Sequence, residues 1–291
     1  MGSRSCLAAV VALFTACGGG GGPTAAPSPS PSPALASVLV ITIDGLRPDA
    51  VERVQPPNLL TLAARGAHTM TARTVVPANT LPAHASIVSG VDPATHGITW
   101  GDYQPERGTI TVPTIFTIAH AAGMRTALVC GKNVFRQLET PGAIDFFADL
   151  NGGDQAVATE AITRVGEGYR LMLVHFADVD LVGHVSEWMS DAQLRQVGDT
   201  DTAVGRLLAA VPEGTVVILT ADHGGNGRNH VTEQPFDMTV PWMIAGPGVA
   251  TGRVLTVPVN VKDTAATALS ILGLRLPDGA PARVVTEAFT P

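Results

Sequence analysis

Residues 38–44 read VLVITID, a run of apolar and β-branched residues that ends on a carboxylate. Two later stretches repeat this pattern: LMLVHF at residues 171–176 runs towards Asp178, and VVILT at residues 216–220 runs towards Asp222. Short runs that are apolar on both faces are typical of strands in a buried parallel sheet. The three stretches therefore predict strands of one sheet, each followed by polar residues.

Strand-like and helix-like segments alternate along the rest of the chain. Two more strands are predicted at residues 126–129 and 240–245. Helical patterns lie at residues 58–65, 114–122, 190–210 and 262–272, and all of them except 190–210 are followed directly by glycine. This alternation predicts an α/β fold with a mostly parallel central sheet. In such sheets ligands bind beyond the carboxyl ends of the strands.

The composition is that of a compact globular domain and excludes one class of partner. The chain has 291 residues, of which 45% are hydrophobic and 15% charged, and its formal net charge is -7. Binding to a nucleic-acid backbone depends on clustered Lys and Arg, and the sequence has no such run. We therefore expect a small-molecule substrate and no nucleic-acid duplex as partner.

The first 35 residues predict export. Arg4 supplies a minimal positive charge, residues 7–13 are apolar, and residues 14–17 (FTAC) resemble a lipobox, which predicts a signal peptide over residues 1–17 and lipidation of Cys17. Alternatively, Cys17 only begins a linker after an ordinary signal peptide.

Residues 18–35, rich in Gly, Pro and Ser, predict a tether. The folded domain is then expected over residues 36–291, in the bacterial periplasm or at the cell surface. A lipid anchor would be its one link to the membrane.

Six residues of metal-ligand type follow the strand ends. Asp180 and His184 are four positions apart, so a single helical turn would aim both at a shared ion. Taken singly, an aspartate at a strand end is often a helix cap, and a lone histidine usually packs in the core or lies on the surface. Together, in two sets of three, the six predict two open-sided metal sites. They are Asp44, Asp180, His184, Asp222, His223 and His230.

The motifs around these residues carry a resemblance to a known family. They are Ile43-Asp44-Gly45, NTLPAH at residues 79–84, DLVGH at residues 180–184, TADHG at residues 220–224, and the following His230. From Val38 to Leu274 the chain resembles the alkaline phosphatase superfamily and, within it, the type I phosphodiesterase/nucleotide pyrophosphatase branch.

This resemblance implies a three-layer α/β sandwich with a minimal cap and two zinc ions per chain. It also implies the division of the ligands. One zinc would be held by Asp44, Asp222, His223 and Thr80, and the other by Asp180, His184 and His230.

Thr80 is the expected nucleophile. A free hydroxyl is barely ionised at neutral pH, whereas metal coordination lowers the pKa of bound water from about 15.7 to about 7. The expected reaction is an in-line displacement by Thr80 that gives a phosphothreonine, which water then hydrolyses. Alternatively, Thr80 is an N-cap, because Pro82 suits a first helical turn, and both roles can coexist.

The expected substrates are phosphodiesters or pyrophosphates, with phosphate monoesters as the alternative and a monomer or small homo-oligomer as the enzyme. Relatives often contact the phosphoryl group through an asparagine where this chain has Gly101. Lys132, as in some monoesterase relatives, and Asn133 are therefore candidate substrate contacts, although a solvated loop lysine is the alternative for Lys132.

The sequence also predicts roles for residues outside the two ligand sets. Asp178 is interpreted as loop structure or support for the site. The candidate pocket walls, for which ordinary packing is the alternative, are Trp100, Tyr103, Phe135 and Trp188. No chemical role is predicted for His68, His84, His96, His120 and His175.

The sequence argues against two other classes of enzyme and leaves one non-enzyme alternative open. A sulfatase would need Cys or Ser in a Cys/Ser-x-Pro-x-Arg setting, whereas this chain has Thr80-x-Pro82-x-His84. A cofactor-independent phosphoglycerate mutase would be cytoplasmic and would carry a large inserted domain. A non-catalytic zinc-binding lipoprotein stays open because of the missing asparagine.

Overall fold

The structure, a computed structural model, describes Gly2 and residues 36–290. Apart from Gly2, the predicted signal peptide and tether, including Cys17, lie outside the described residues. Among the residues described, no helix combines the length and the apolar character needed to cross a membrane.

Within residues 36–290, a single sheet of eight strands forms the centre of the fold. The strands β1 to β8, in chain order, are Ser37–Ile43, Ala67–Arg73, Thr126–Cys130, Phe146–Asp149, Leu171–Phe176, Thr215–Thr220, Thr239–Ala245 and Arg253–Val254. Their spatial order is β4-β3-β5-β1-β6-β7-β2-β8. The strands β5, β1 and β6, which correspond to the three apolar stretches that precede the predicted ligands, are neighbours, since β1 pairs in parallel with both β5 and β6.

Helices cover the sheet in two groups. The helices α1 to α10, in chain order, are Pro48–Val54, Pro57–Arg65, Thr80–Ser89, Pro93–His96, Ile115–Ala121, Asp154–Val165, Asp178–Ser186, Asp191–Ala210, Pro235–Met238 and Asp263–Ile271. In one group α1, α2, α6 and α7 pack against α8, and in the other α3, α5 and α10 pack together. The predicted three-layer α/β fold is confirmed.

The four helices predicted from periodicity form within one or two residues of the expected bounds. Helix α3 is different because all ten of its residues are buried, so its sequence shows no polar stripe for a periodicity argument to find.

Strand β7 does not fit the parallel pattern expected for residues 240–245, since it runs antiparallel to β6 and to β2. The physical reason lies in its connection. Between β6 and β7 only a loop and the one-turn helix α9 occur, so the chain re-enters the sheet at the edge it has just left. A parallel strand would need a crossover to the opposite edge.

Candidate active site

The site lies where the three central strands end. Asp44 follows β1 directly, Asp222 and His223 come shortly after β6, and α7 begins two residues after β5. Since β5, β1 and β6 are adjacent and parallel, the residues beyond them meet at one edge of the sheet. The structure therefore brings all six predicted ligands together with Thr80.

We call Asp44, Asp222 and His223 the inner ligand set. All three are fully buried. The His223 Nε2 atom lies 3.3 Å from Asp44 Oδ1 and 3.4 Å from Asp222 Oδ2. Such a buried cluster of one imidazole and two carboxylates has the composition of a metal site.

We call Asp180, His184 and His230 the outer ligand set. The Asp180 Oδ1 atom lies 3.5 Å from His184 Nε2 and 3.7 Å from His230 Nε2. The two imidazole Nε2 atoms are 3.2 Å apart. Asp180 and His230 are buried, whereas 41% of the His184 side chain is exposed, so the site opens towards solvent at His184.

His223 links the two sets. Its ring stacks on that of His230 with centroids 3.8 Å apart, and its Nε2 lies 4.0 Å from Asp180 Oδ1. The ligand atoms of Asp180, His223 and His230 all lie within 4.8 Å of one another, as do those of the inner set. The structure therefore gives His223 a place in both groups, which the predicted division did not foresee.

Backbone carbonyls fix the orientation of all three histidines. The Nδ1–H groups of His184, His223 and His230 donate to the carbonyl oxygens of Arg228, Gly224 and Ala78, at 2.9, 2.8 and 2.8 Å. A carbonyl can only accept, so each Nε2 keeps a lone pair that faces the cluster while the imidazole is neutral. This arrangement is typical of metal-ligating histidines.

Two carboxylate oxygens in the cluster lack protein partners. Asp180 Oδ1 and Asp222 Oδ2 are buried and accept no hydrogen bond from the described residues. A buried unpartnered carboxylate oxygen is costly unless a cation lies beside it. Together with the oriented imidazoles, this shows that the donors present fit metal ions.

The Thr80 hydroxyl lies at the centre of the cluster. Its Oγ1 atom is 3.4 Å from both carboxylate oxygens of Asp44 and 3.4 Å from His223 Nε2. Thr80 is the first residue of α3, so the positive end of the helix dipole lies beneath it. The N-cap is Asn79, whose Oδ1 accepts from the Thr80 N–H at 2.9 Å. The alternative that Thr80 itself is the N-cap is therefore wrong.

Lys132 reaches into the cluster from the loop after β3. Its Nζ donates to Asp180 Oδ2 at 2.6 Å and to Thr80 Oγ1 at 3.2 Å, and it forms an ion pair with Asp44 Oδ2 at 2.8 Å. The alternative of a solvated loop lysine is wrong. Asn133 is exposed, and none of the side-chain hydrogen bonds of residues 36–290 joins it to the site.

The charges of the site shift the pKa values of its members. Burial alone would raise the pKa of Asp44, but the charge of Lys132 and hydrogen bonds from His175 and His223 hold it well below its usual value. Burial and then the charge of Asp44 raise the pKa of Asp222 to about 8.

The two stacked imidazoles shift in opposite directions. Burial lowers the pKa of His223, but Asp222 and Asp44 outweigh it and raise the value to about 10. Burial and the charge of His223 lower the pKa of His230 to about 4. The cluster thus holds a proton on or near His223 that a metal ion would displace.

Two histidines for which no role was predicted contact the carboxylates. His175 Nε2 lies 3.0 Å from Asp44 Oδ2, and His84 Nδ1 lies 3.5 Å from Asp222 Oδ2 and 2.8 Å from the Thr80 carbonyl oxygen. Neither belongs to a ligand set: His175 hydrogen-bonds the carboxylate of Asp44, whereas His84 hydrogen-bonds the backbone of Thr80. The signal for His175 was a polar residue inside an otherwise apolar strand.

The predicted pocket walls have other positions. Phe135 is fully buried and packs between the rings of His84 and His175, with centroids 4.6 and 4.4 Å away. Trp188 is buried behind the outer ligand set, where its Nε1–H donates to the Gly45 carbonyl oxygen at 2.8 Å. Packing is therefore the role of both.

The remaining two candidate pocket walls, Trp100 and Tyr103, lie on either side of Gly101 in the sequence. Trp100 stacks against Arg107, whose guanidinium carbon lies 4.3 Å from the ring centroid, and Tyr103 is exposed. A Cβ atom on Gly101 would lie 2.6 Å from Asn79 Nδ2. The amide of Asn79 thus occupies the space that a side chain at position 101 would need.

The fold and the site define an α/β protein with a cluster of metal-ligand residues and a threonine hydroxyl at the carboxyl edge of its sheet. The model of type I phosphodiesterase/nucleotide pyrophosphatase matches residues 38–238. The chain therefore belongs to the type I phosphodiesterase/nucleotide pyrophosphatase family.

Curated relatives match over parts of their length. An uncharacterized pyrophosphatase/phosphodiesterase of Schizosaccharomyces pombe is 26% identical over 219 residues, 65% of this chain and 44% of that protein. A 2,3-bisphosphoglycerate-independent phosphoglycerate mutase of Cereibacter sphaeroides is 30% identical over 143 residues, 45% of this chain and 26% of that protein. This chain thus spans less than half of the length of either relative.

Solved structures agree on the fold. The inactive threonine-to-alanine variant of murine ectonucleotide pyrophosphatase/phosphodiesterase 5, in complex with AMP, gives a TM-score of 0.74 at 14% identity and covers 88% of this chain and 100% of that one. A 2-O glycosaminoglycan sulfatase gives 0.70 at 13% identity and covers 87% and 74%. At such identities the similarity shows the fold alone.

Proposed function

We propose that this chain hydrolyses phosphodiester or pyrophosphate bonds, with Thr80 as the nucleophile and a phosphothreonine as the intermediate. The observation that carries the proposal is the position of the Thr80 hydroxyl, 3.4 Å from two members of the inner ligand set and 3.2 Å from the Lys132 ammonium. The family and the inactive threonine variant of the murine relative support it.

We further propose two zinc ions as the cofactors. The inner ligand set together with Thr80 would hold one, and the outer ligand set the other. When bound, the ions supply Lewis-acid catalysis, which favours the ionised threonine and stabilises charge on the reacting oxygens. Three buried carboxylates, of Asp44, Asp180 and Asp222, face the cluster, so two divalent cations also offset its negative charge.

The chain's own residues would carry out two displacements. In the first, Thr80 Oγ1 forms a bond to phosphorus as the bond to the leaving-group oxygen breaks, and the proton lost by Thr80 is balanced by protonation of the departing oxygen. In the second, a water oxygen forms a bond to phosphorus as the bond to Thr80 Oγ1 breaks, and a proton of that water restores the hydroxyl. The dipole of α3 and the Lys132 ammonium both stabilise the negative charge that gathers on the phosphoryl oxygens.

Lys132 is the observation that favours a second candidate function. A monoester carries more negative charge than a diester, and an ammonium beside Thr80 would favour it. The phosphate monoesterase activity of alkaline phosphatases is therefore the alternative.

Asn79, whose Oδ1 faces the Thr80 N–H, keeps its amide Nδ2 as a further donor beside the nucleophile.

The deciding experiment compares kcat/KM for bis-p-nitrophenyl phosphate with that for p-nitrophenyl phosphate on the zinc-loaded protein. A ratio well above one supports the diesterase, and a ratio well below one supports the monoesterase. Undetectable turnover of both by protein that holds two zinc ions would contradict both and favour a non-catalytic zinc-binding lipoprotein.

We also propose that the protein is exported and anchored through lipidated Cys17, as a monomer or small homo-oligomer. The sequence of residues 1–35 supports this. Cys17→Ser should move the protein from the membrane fraction to the soluble fraction of a bacterial host. Equal membrane association of the variant and the parent protein would contradict the anchor.

A further inference from the structure

Helices α6 and α7 cap each other through two aspartates. Asp154, the first residue of α6, accepts the backbone N–H groups of Ala177 and Asp178 with its Oδ1 atom, at 2.8 and 3.2 Å. In return Asp178 Oδ2 accepts the Asp154 N–H at 2.9 Å. Each aspartate thus satisfies amides at the start of the other helix, where a helix leaves such groups without internal partners.

Neither helix can cap itself. The residues at the N-cap positions, Gly153 for α6 and Ala177 for α7, have no side chain that could accept a hydrogen bond. Gly153 has φ +74, and a Cβ atom there would lie 2.9 Å from Asp178 Oδ2. The glycine therefore makes room for the exchange between the two carboxylates.

Asp154 is also tied to a third helix. It is buried, and its Oδ2 accepts the hydroxyl of Thr200 on α8. Burial and then the nearby Asp178 raise the pKa of Asp154 to about 7. A buried carboxylate with three protein donors holds its geometry tightly, so the start of α7 has a fixed position relative to α6 and α8.

Helix α7 is the element that carries two of the three outer ligands. Asp180 lies two residues after Asp178, and His184 one turn later. By contrast, no residue of the inner ligand set belongs to a helix. The position of the outer set consequently depends on how the start of α7 is held.

We propose that Asp154 is a positioning residue for the outer ligand set, which it holds in register with the inner set through the start of α7. The proposal rests on the proposed function, because it takes the outer set to bind a metal ion. Asp154 touches no ligand itself and acts only through the backbone of Ala177 and Asp178.

The chain contains a matched control. Asp201 on α8 is equally buried and accepts the backbone N–H groups of Asn58 and Leu59 at 3.2 and 2.8 Å, in the first turn of α2. It therefore caps α2 through two backbone amides, as Asp154 caps α7. Helix α2 carries no residue of the site.

The test compares Asp154→Ala, Asp154→Asn and Asp201→Ala in the otherwise complete protein, at about pH 8.5, where the Asp154 carboxylate is ionised. Zinc affinity is measured by chelator competition and the melting temperature by calorimetry. Amide hydrogen exchange of the first turn of α7 is followed in metal-free protein. Zinc alone is the probe.

We expect Asp154→Ala to weaken zinc binding at the outer ligand set about 10–100-fold, the range known for residues that orient ligands, and to speed exchange at the start of α7. Asp201→Ala should lower the melting temperature similarly but leave zinc affinity unchanged. Asp154→Asn, which keeps the Oδ1 acceptor, should restore most of the zinc affinity.

The proposal is overturned if Asp154→Ala and Asp201→Ala lower the melting temperature by similar amounts and both variants bind zinc as tightly as the parent protein. None of these measurements uses turnover. A parent protein that binds two zinc ions but hydrolyses no phosphoric ester would therefore contradict the proposed function and leave the positioning role standing.

Discussion

The two ligand sets are built differently although they share one cluster. The inner set lies within three residues of the ends of β1 and β6 and is fully buried, so the hydrogen-bonded sheet fixes its spacing. The outer set comes from α7 and a loop, and 41% of the His184 side chain is exposed. Its geometry depends on caps and loop contacts. The metal-binding geometry of the inner set should therefore be less sensitive than that of the outer set to substitutions in the surrounding residues.

The largest effect is expected at Thr80, the reacting residue, which lies beside the inner set. Thr80→Ala removes the attacking oxygen, so kcat should fall at least about 1,000-fold. Zinc content should stay near two per chain, because three inner ligands remain. Steady-state kinetics and metal analysis check this, with Thr61→Ala on the exposed side of α2 as control. Substantial residual turnover would rule out Thr80 as nucleophile.

Removing one ligand from each set should show that the two sets differ in how much zinc binding they lose. Asp222→Ala should leave one zinc per chain even when zinc is in excess, since the buried cluster cannot replace the carboxylate with water. His184→Ala should weaken its site only about 10–100-fold, because the exposed position admits water. Zinc titrations of both variants test the comparison. Equal losses would show that the sets do not differ.

The pH dependence of zinc binding should report the inner set. The pKa of His223 is raised to about 10 and that of Asp222 to about 8, so at neutral pH zinc must displace at least one proton. The apparent affinity should rise about tenfold per pH unit for each displaced proton and level off above pH 10. Calorimetry in buffers of different ionisation enthalpy counts the protons. Zinc binding without proton release would contradict the charge state inferred for the cluster.

The smallest effect concerns Lys132, which bridges the two sets. Lys132→Met keeps the length of the side chain but removes the charge, so kcat/KM should fall about tenfold more for the monoester than for the diester. Lys262→Met, remote from the cluster and paired with Asp92, is the control. Equal losses on both substrates would mean that Lys132 supports the site without recognising substrate charge.

The inner set was also the part that the sequence could predict. Its residues come immediately or shortly after VLVITI and VVILT, and parallel neighbouring strands bring such residues to one edge whatever the details of the loops. Asp180 and His184 were predictable from their helical spacing. The element-level prediction thus succeeded where a local pattern and a general topological rule were enough.

The sequence could not predict contacts that depend on tertiary structure. The ion pair of Lys132 with Asp44, the contact of His175 with Asp44 and the bonds from Asp154 to α7 join residues far apart in the chain. No local spacing encodes them. The three missed strands had weak local signals as well: β2 mixes polar and apolar residues, β4 is a short edge strand, and the two residues of β8 are exposed.

The stereochemical course at phosphorus is the most direct test of hydrolysis in two displacements through Thr80. A chiral phosphorothioate diester is hydrolysed by the zinc-loaded protein in water labelled with heavy oxygen, and the configuration of the product is determined. Two in-line displacements through a phosphothreonine on Thr80 predict retention of configuration, because each step inverts the phosphorus centre once. Inversion would contradict the phosphothreonine intermediate, since it would mean that water attacks the substrate directly.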